Sequence, residues 1–202
     1  MYPESDFLKS RKGVFSARFE VIKNKILEEA QKCPLCRGLS TSCRCYDEKV
    51  RKLYAARAQI PKNYWGLEEF EEPPERSLTI FSSLDQSERL AKISFGALHS
   101  GKTVMMLQFY DLVNVLRRER SEESIRGEID WVFTLDLLVI ANIPLSLTNF
   151  TTEALSLKGY LDGRETFFPS VLEVRLPDEE VEREQLERFL LRYGEIEVQH
   201  GR

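Results

Sequence analysis

Between Val14 and Lys32 the apolar residues Phe15, Phe19, Ile22, Ile26 and Leu27 recur at spacings of four, three, four and one, the period of a helix that buries one face. The pattern stops at CPLCRGLSTSCRC, Cys33 to Cys45, a stretch rich in turn formers. It resumes in YDEKVRKLYAARAQ, a charged helix with Val50, Leu53, Tyr54 and Ala58 inward, which Pro61 ends. Residues 63–76 carry aromatic side chains that suggest docking on a neighbour and an acidic, proline-containing end, about Glu71 to Arg76, that reads as a linker, so the stretch is taken as the boundary between domains.

Beyond residue 76 the periods alternate. Strand-like SLTIFSS, TVMMLQF, DLLVIANI and PSVLEVRL are separated by helix-like SERLAKISFGALHSG and YDLVNVLRRERSEES and by a mixed stretch through Tyr160. Nearly continuous apolar strands alternating with helices predict an α/β fold, a parallel sheet covered by helices. PDEEVEREQLERFLLRYG begins with proline and acidic residues, then carries Val181, Leu186, Phe189 and Leu190, and so predicts a carboxy-terminal helix. The expected organisation is a helical metal-binding module over 1–62, a linker over 63–76 and an α/β domain over 77–202.

A chain of 202 residues with 42% apolar and 31% charged side chains can bury a real core, which excludes a disordered protein. No apolar run approaches the roughly 18 residues that cross a bilayer, and the amino terminus lacks a signal-peptide pattern, so a cytoplasmic location and no membrane partner are expected. The net charge of -4 conceals an asymmetry, with 14 basic and 7 acidic residues in 1–62 against 15 and 26 in the remainder. A basic front suits docking on nucleic acid or on an acidic protein surface, and Arg37, Arg44, Lys49, Arg51 and Lys52 are the residues that would make such contacts.

All four cysteines, Cys33, Cys36, Cys43 and Cys45, fall within one short segment. In a reducing compartment such crowding indicates a metal site and not disulfides, and C-x2-C followed by C-x-C supplies the four thiolates of a tetrahedral structural zinc. The four thiolates are expected from two adjacent turns, the second pair being the tighter. Replacing Cys36 is then expected to unfold the module and spare the later core.

Gly96 to Thr103, GALHSGKT, fits the phosphate-binding pattern G-x-x-x-x-G-K-[ST], in which Gly96, Gly101, Lys102 and Thr103 would hold ATP and magnesium. Such a loop needs a strand before it and a helix after it. Here Leu90, Ile93, Ala97 and Leu98 keep helical spacing on the entering side and TVMMLQF follows, so the segment reads as a turn from helix into strand. DLLVI also runs into Ala141 and Asn142, where a magnesium-holding carboxylate would be expected. His99 and His200 stand in no triad-like arrangement and carry no catalytic assignment.

The cysteine cluster, the charged helix and AQIPKNYWGLEEF resemble the zinc region and following segment of bacterial replicative-helicase loaders of the DnaC and DnaI type, with the related IstB transposition ATPases. The likeness runs from about Cys33 to the end of the chain. In it, SLTIFSSLDQSERLA occupies the place of a strand, phosphate loop and helix start, with Phe81 to Glu88 where the loop glycines, lysine and threonine would stand. DLLVIANI resembles the magnesium-binding strand without its acidic residues, and Arg175 lies near the place of a polar sensor. The resemblance implies a degenerate AAA+-like core that hydrolyses no nucleotide. It also implies zinc as the cofactor, and a replicative helicase or an active ATPase relative as partner, with single-stranded DNA and self-association left open. Two other readings stay open: an active P-loop ATPase using Gly96 to Thr103, and a zinc-dependent nucleic-acid-binding protein.

Overall fold

Two helices, α1 (Val14–Gln31) and α2 (Arg44–Arg57), form a hairpin. The computed structural model describes residues 2–3, 5–9, 11–74, 78–82, 86–119, 123–143, 159, 170–174, 184 and 195–198. Cys33, just past the end of α1, meets Cys43 at the start of α2, while Arg57 at the end of α2 reaches Ser16 in the first turn of α1. The two helices therefore run antiparallel. Phe15, Phe19 and Ile26 are buried, as the spacing predicts.

The start of α1 is held by another element. Its N-cap, Gly13, offers no side chain, and the carboxylate of Glu128 accepts the amides of Phe15 at 3.1 Å and Ser16 at 2.8 Å. A carboxylate there satisfies two of the first-turn donors that have no intrahelical partner, and it lies at the positive end of the helix dipole. Gly13 has φ 139, and a Cβ built on it would collide with the Glu128 side chain, so only glycine admits this cap.

Among the described residues the body is a five-stranded sheet whose paired strands all run parallel. Its strands are β1 (Leu78–Ser82), β2 (Val104–Gln108), β3 (Leu137–Ile143), β4 (Ser170–Val174) and β5 (Glu195–Val198), in the order β2-β3-β4-β1-β5. Helix α3 (Ser87–His99) follows β1, while α4 (Phe109–Glu119) and α5 (Glu123–Phe133) lie between β2 and β3. Val104 to Leu107 and Leu137 to Ala141 are buried without alternation, the mark of strands covered on both faces. α4 and α5 replace the single helix expected over 110–124. The signal for α5 was present in Ile129, Val132 and Phe133, buried at helical spacing. Of the carboxy-terminal helix expected from Pro177 only residue 184, which is helical, is described, and the place of Arg175 lies outside the described residues.

Hairpin and sheet share one apolar cluster in which Phe7, Phe15, Tyr54, Ala55, Ala58 and Ile60 pack with the strand residues. β2 is an edge strand, and the amide of Met106 donates to the Ala58 carbonyl at 2.8 Å, so the exit of the hairpin covers that edge. The aromatic stretch after the hairpin docks: Trp65 Nε1 donates to the Ile60 carbonyl, Glu71 pairs with Arg89, and Glu69 pairs with Lys92 on α3. At Gly96 the backbone of Glu71 passes so close to α3 that a Cβ would clash with it. No helix among the described residues is long and apolar enough to cross a membrane.

Candidate metal centre

The turn between α1 and α2 gathers the four sulfurs. Cys33 follows the α1 C-cap, Lys32, and the Cys33 carbonyl accepts the Arg37 amide at 2.9 Å while the Cys36 carbonyl accepts the Leu39 amide at 2.9 Å. Arg37 at φ 49 and Gly38 at φ 77 turn the chain back, left-handed positions that glycine takes without steric cost. Cys43 is the N-cap of α2, and Cys45 lies in its first turn. The C-x-C pair is thus a helix start, where a second turn was expected. The change has a chemical consequence, because the positive end of the α2 dipole faces the thiolates.

One ligand atom from each cysteine lies within 4.8 Å of the others, with Cys36 Sγ 3.1 Å from Cys45 Sγ and Cys33 Sγ 3.9 Å from Cys43 Sγ. Four thiolates around a tetrahedral zinc, with Zn–S near 2.3 Å, stand about 3.8 Å apart, so the donor set fits such an ion. The four cysteines can hold a metal ion, and a closed set of sulfur donors leaves no position for substrate. The Cys36 thiol is pulled down to about 6, chiefly by its hydrogen bond with Cys45, whose own thiol that contact pushes up. Hydrogen bonds with the Cys36 and Leu35 backbone lower the Cys33 thiol.

Around the cluster, Arg37 and Arg44 are exposed, whereas Lys49 sits over the Tyr46 ring at 4.6 Å and Lys52 pairs with Glu48 at 2.7 Å. Arg51 lies 5.1 Å from the Phe95 ring centroid and 5.6 Å from that of Phe70. Of the five basic residues singled out, only Arg37 and Arg44 present themselves fully at the tip. Leu35 and Leu39 are 86% and 89% exposed there. Sequence reading passed over them, although two leucines in a turn with no periodic partner are a legible sign of an exposed apolar pair.

Gly96 to Thr103 has the reverse of phosphate-loop order, with α3 entering and β2 leaving. Lys102 donates its amide to the Ala97 carbonyl at 2.9 Å, Gly101 donates to Leu98 at 3.1 Å, and Gly101 has φ 81. Together these bonds close the helix with a Schellman motif. Thr103 Oγ1 donates to Asp136 at 2.8 Å, and its amide donates to the same carboxylate at 2.7 Å, which pins the start of β2 to the chain entering β3.

At the carboxyl ends of the strands, Asn142 has φ 58 at an irregularity between Ile140 and Ile143, and its Nδ2 donates to Gln108 Oε1 at 2.7 Å. This amide pair stands where parallel sheets usually place their ligands, and sequence reading identified only Asn142 of the two. Compared with family models and with curated proteins, the chain matches none.

Proposed function

We propose that this chain is a DNA-replication accessory protein of the helicase-loader type that works by binding and not by catalysis. A zinc ion shapes the hairpin tip, the tip engages a replicative helicase or an active ATPase relative, and the α/β body supplies form without hydrolysing nucleotide. The observation that carries the proposal is the strand order β2-β3-β4-β1-β5, which is the order of the P-loop core in AAA+ proteins. In such a core the phosphate loop follows β1, at the point where the order reverses and ligands bind. Here no glycine or lysine occurs from Phe81 to Glu88. The end of β3 carries buried Ala141, then Asn142 and Ile143, with no carboxylate for magnesium. A sheet of this order stripped of its phosphate and metal ligands fits a scaffold, and the Schellman turn at Gly101 disfavours the competing loop.

Two measurements test this function. Calorimetry with ATP and magnesium is expected to give no heat of binding, and Lys102→Ala is expected to change nothing; tight binding abolished by that substitution would establish an active ATPase instead. Mixed with the replicative helicase of the same host, the chain is expected to co-elute on gel filtration, and Leu35→Ser with Leu39→Ser to break the complex. Fully burying a leucine side chain is worth about 1.5–3 kcal/mol, so loss of either one is expected to weaken the complex at least about tenfold. Salt-sensitive DNA binding that persists in the double-leucine variant but falls with Arg37→Ala and Arg44→Ala would favour the nucleic-acid-binding reading.

A further inference from the structure

Arg51, on α2, sets its guanidinium between aromatic rings, 5.1 Å from the Phe95 centroid and 5.6 Å from that of Phe70. His99 extends this wall, 5.3 Å from Phe70 and 6.2 Å from Tyr2. Two of the guanidinium nitrogens, Nε and Nη2, are buried and have no hydrogen-bond partner among the described residues. These two form one edge. Nη1 is the nitrogen cis to Cδ, so the N–H groups of Nε and Nη2 project in parallel from the other side, the fork that receives two oxygens of a carboxylate or phosphate. Ring faces offset the positive charge but accept from neither donor, and buried donors without acceptors are costly.

We propose that the Arg51 fork is a carboxylate-binding site gated by the Phe70 ring. Phe95 is 1% exposed and fixed in the core, whereas Phe70 is 38% exposed. The chain beside Phe70 is anchored, because the Glu71 amide donates to the Lys92 carbonyl at 3.3 Å and the Glu71 backbone presses on Gly96. Rotation of the Phe70 side chain therefore opens the fork while the backbone stays in place. One carboxylate oxygen then accepts from Nε and the other from Nη2, and the apolar stem of the ligand rests on Phe95. Charge selects a carboxylate over a phosphate. Asp47 lies one helical turn before Arg51, and Glu69 and Glu71 flank Phe70. Among the described residues Arg51 is the one cation stacked on the Phe70 and Phe95 rings, enough to balance a single negative charge but not the two of a phosphate set among these acids. Such a carboxylate comes from an acidic side chain or from a chain end. The site is separate from the cysteine cluster and needs neither its metal nor the helicase-loader reading.

The test follows the Arg51 Nε–H resonance by NMR in the full chain with isotope-labelled arginine. The resonance is identified by its disappearance in Arg51→Lys and, should that variant not fold, by its magnetisation transfer to the Phe95 ring. Acetate is expected to move it downfield and to saturate, and inorganic phosphate at the same ionic strength to bind more weakly. Two larger probes name the source: aspartate blocked at both backbone ends presents a side-chain carboxylate, N-acetyl-alanine a chain end, and the tighter of the two identifies which is taken. Phe70→Ala should tighten acetate at least about tenfold, because a binding-competent state populated at roughly a tenth or less lowers the apparent affinity by that fraction. A resonance that no carboxylate moves, in the wild type or in Phe70→Ala, overturns the site, and tighter binding of phosphate overturns its ligand class. Equal acetate affinity in the two proteins overturns the gate. Acetate binding seen only after Asp47→Asn means that the chain's own carboxylate fills the fork, and overturns the proposal as well.

Discussion

Cys36→Ser is expected to leave the chain without metal and to destabilise the whole molecule, not the hairpin alone. Metal analysis of the wild type should find about one zinc per chain, and of the variant essentially none, because three thiolates and a hydroxyl make a far weaker set. Saturation at roughly a thousandfold above Kd stabilises a folded state by about 4 kcal/mol, and at least that much should be lost. From sequence the loss was expected to stop at the module. Phe15, Tyr54, Ala55, Ala58 and Ile60 of the hairpin region lie instead in the same cluster as the sheet, so opening the hairpin exposes the face of β2. Two tryptophans can follow this, Trp65 beyond the hairpin and Trp131 on α5. Urea unfolding read by fluorescence should show one transition shifted to lower urea in the variant. An early transition followed by a wild-type one would mean that the module is independent.

Much of this architecture was legible because it is local. The stripe of Phe15, Phe19, Ile22 and Ile26 specifies α1, the unbroken apolar runs specify doubly covered strands, and the crowding of four cysteines specifies their convergence. α5 and β5 went unread for different reasons. α5 follows a charged run that resembles the continuation of α4. EIEV is a short alternation of a kind that occurs often without forming a strand.

What could not be read at all was long-range. Nothing near Glu128 in sequence announces that its carboxylate will cap a helix more than a hundred residues earlier. Nor does a charged helix announce that Arg57 will be fully buried. Its guanidinium lies 4.2 Å from the Trp131 ring and 5.2 Å from Phe19, donating to the Phe7 carbonyl and Ser16 Oγ. Burial pulls that group down to about 10, which still leaves it charged at neutral pH. Such residues are chosen by partners that the fold brings up, and periodicity carries no record of them.

Glu128→Ala should be the most damaging single change away from the cysteines, at about 3–5 kcal/mol, the usual cost of removing one partner from a buried charged network. Glu128 is 1% exposed and has two roles. It satisfies the amides of Phe15 and Ser16, each of which, left buried and unpaired, costs about 1–3 kcal/mol. It also supplies the negative charge near Arg57, whose Nη2 has no hydrogen-bond partner. Ser16 links the two, accepting from Arg57 through its hydroxyl and donating to Glu128 through its amide. Glu128→Gln separates the roles, because an amide oxygen can still accept from the backbone while the charge is gone. Chemical denaturation should therefore place Gln between Ala and wild type. If Gln were as harmful as Ala, the charge opposite Arg57 would be the dominant contribution; if it matched wild type, capping alone would hold the hairpin to the sheet. In either case the metal content of both variants should remain that of the wild type, since the cysteines lie at the far end of the hairpin. A loss of zinc on changing Glu128 would mean that the two ends of α1 and α2 are set together and that the tip is shaped from the core as well as by its ion.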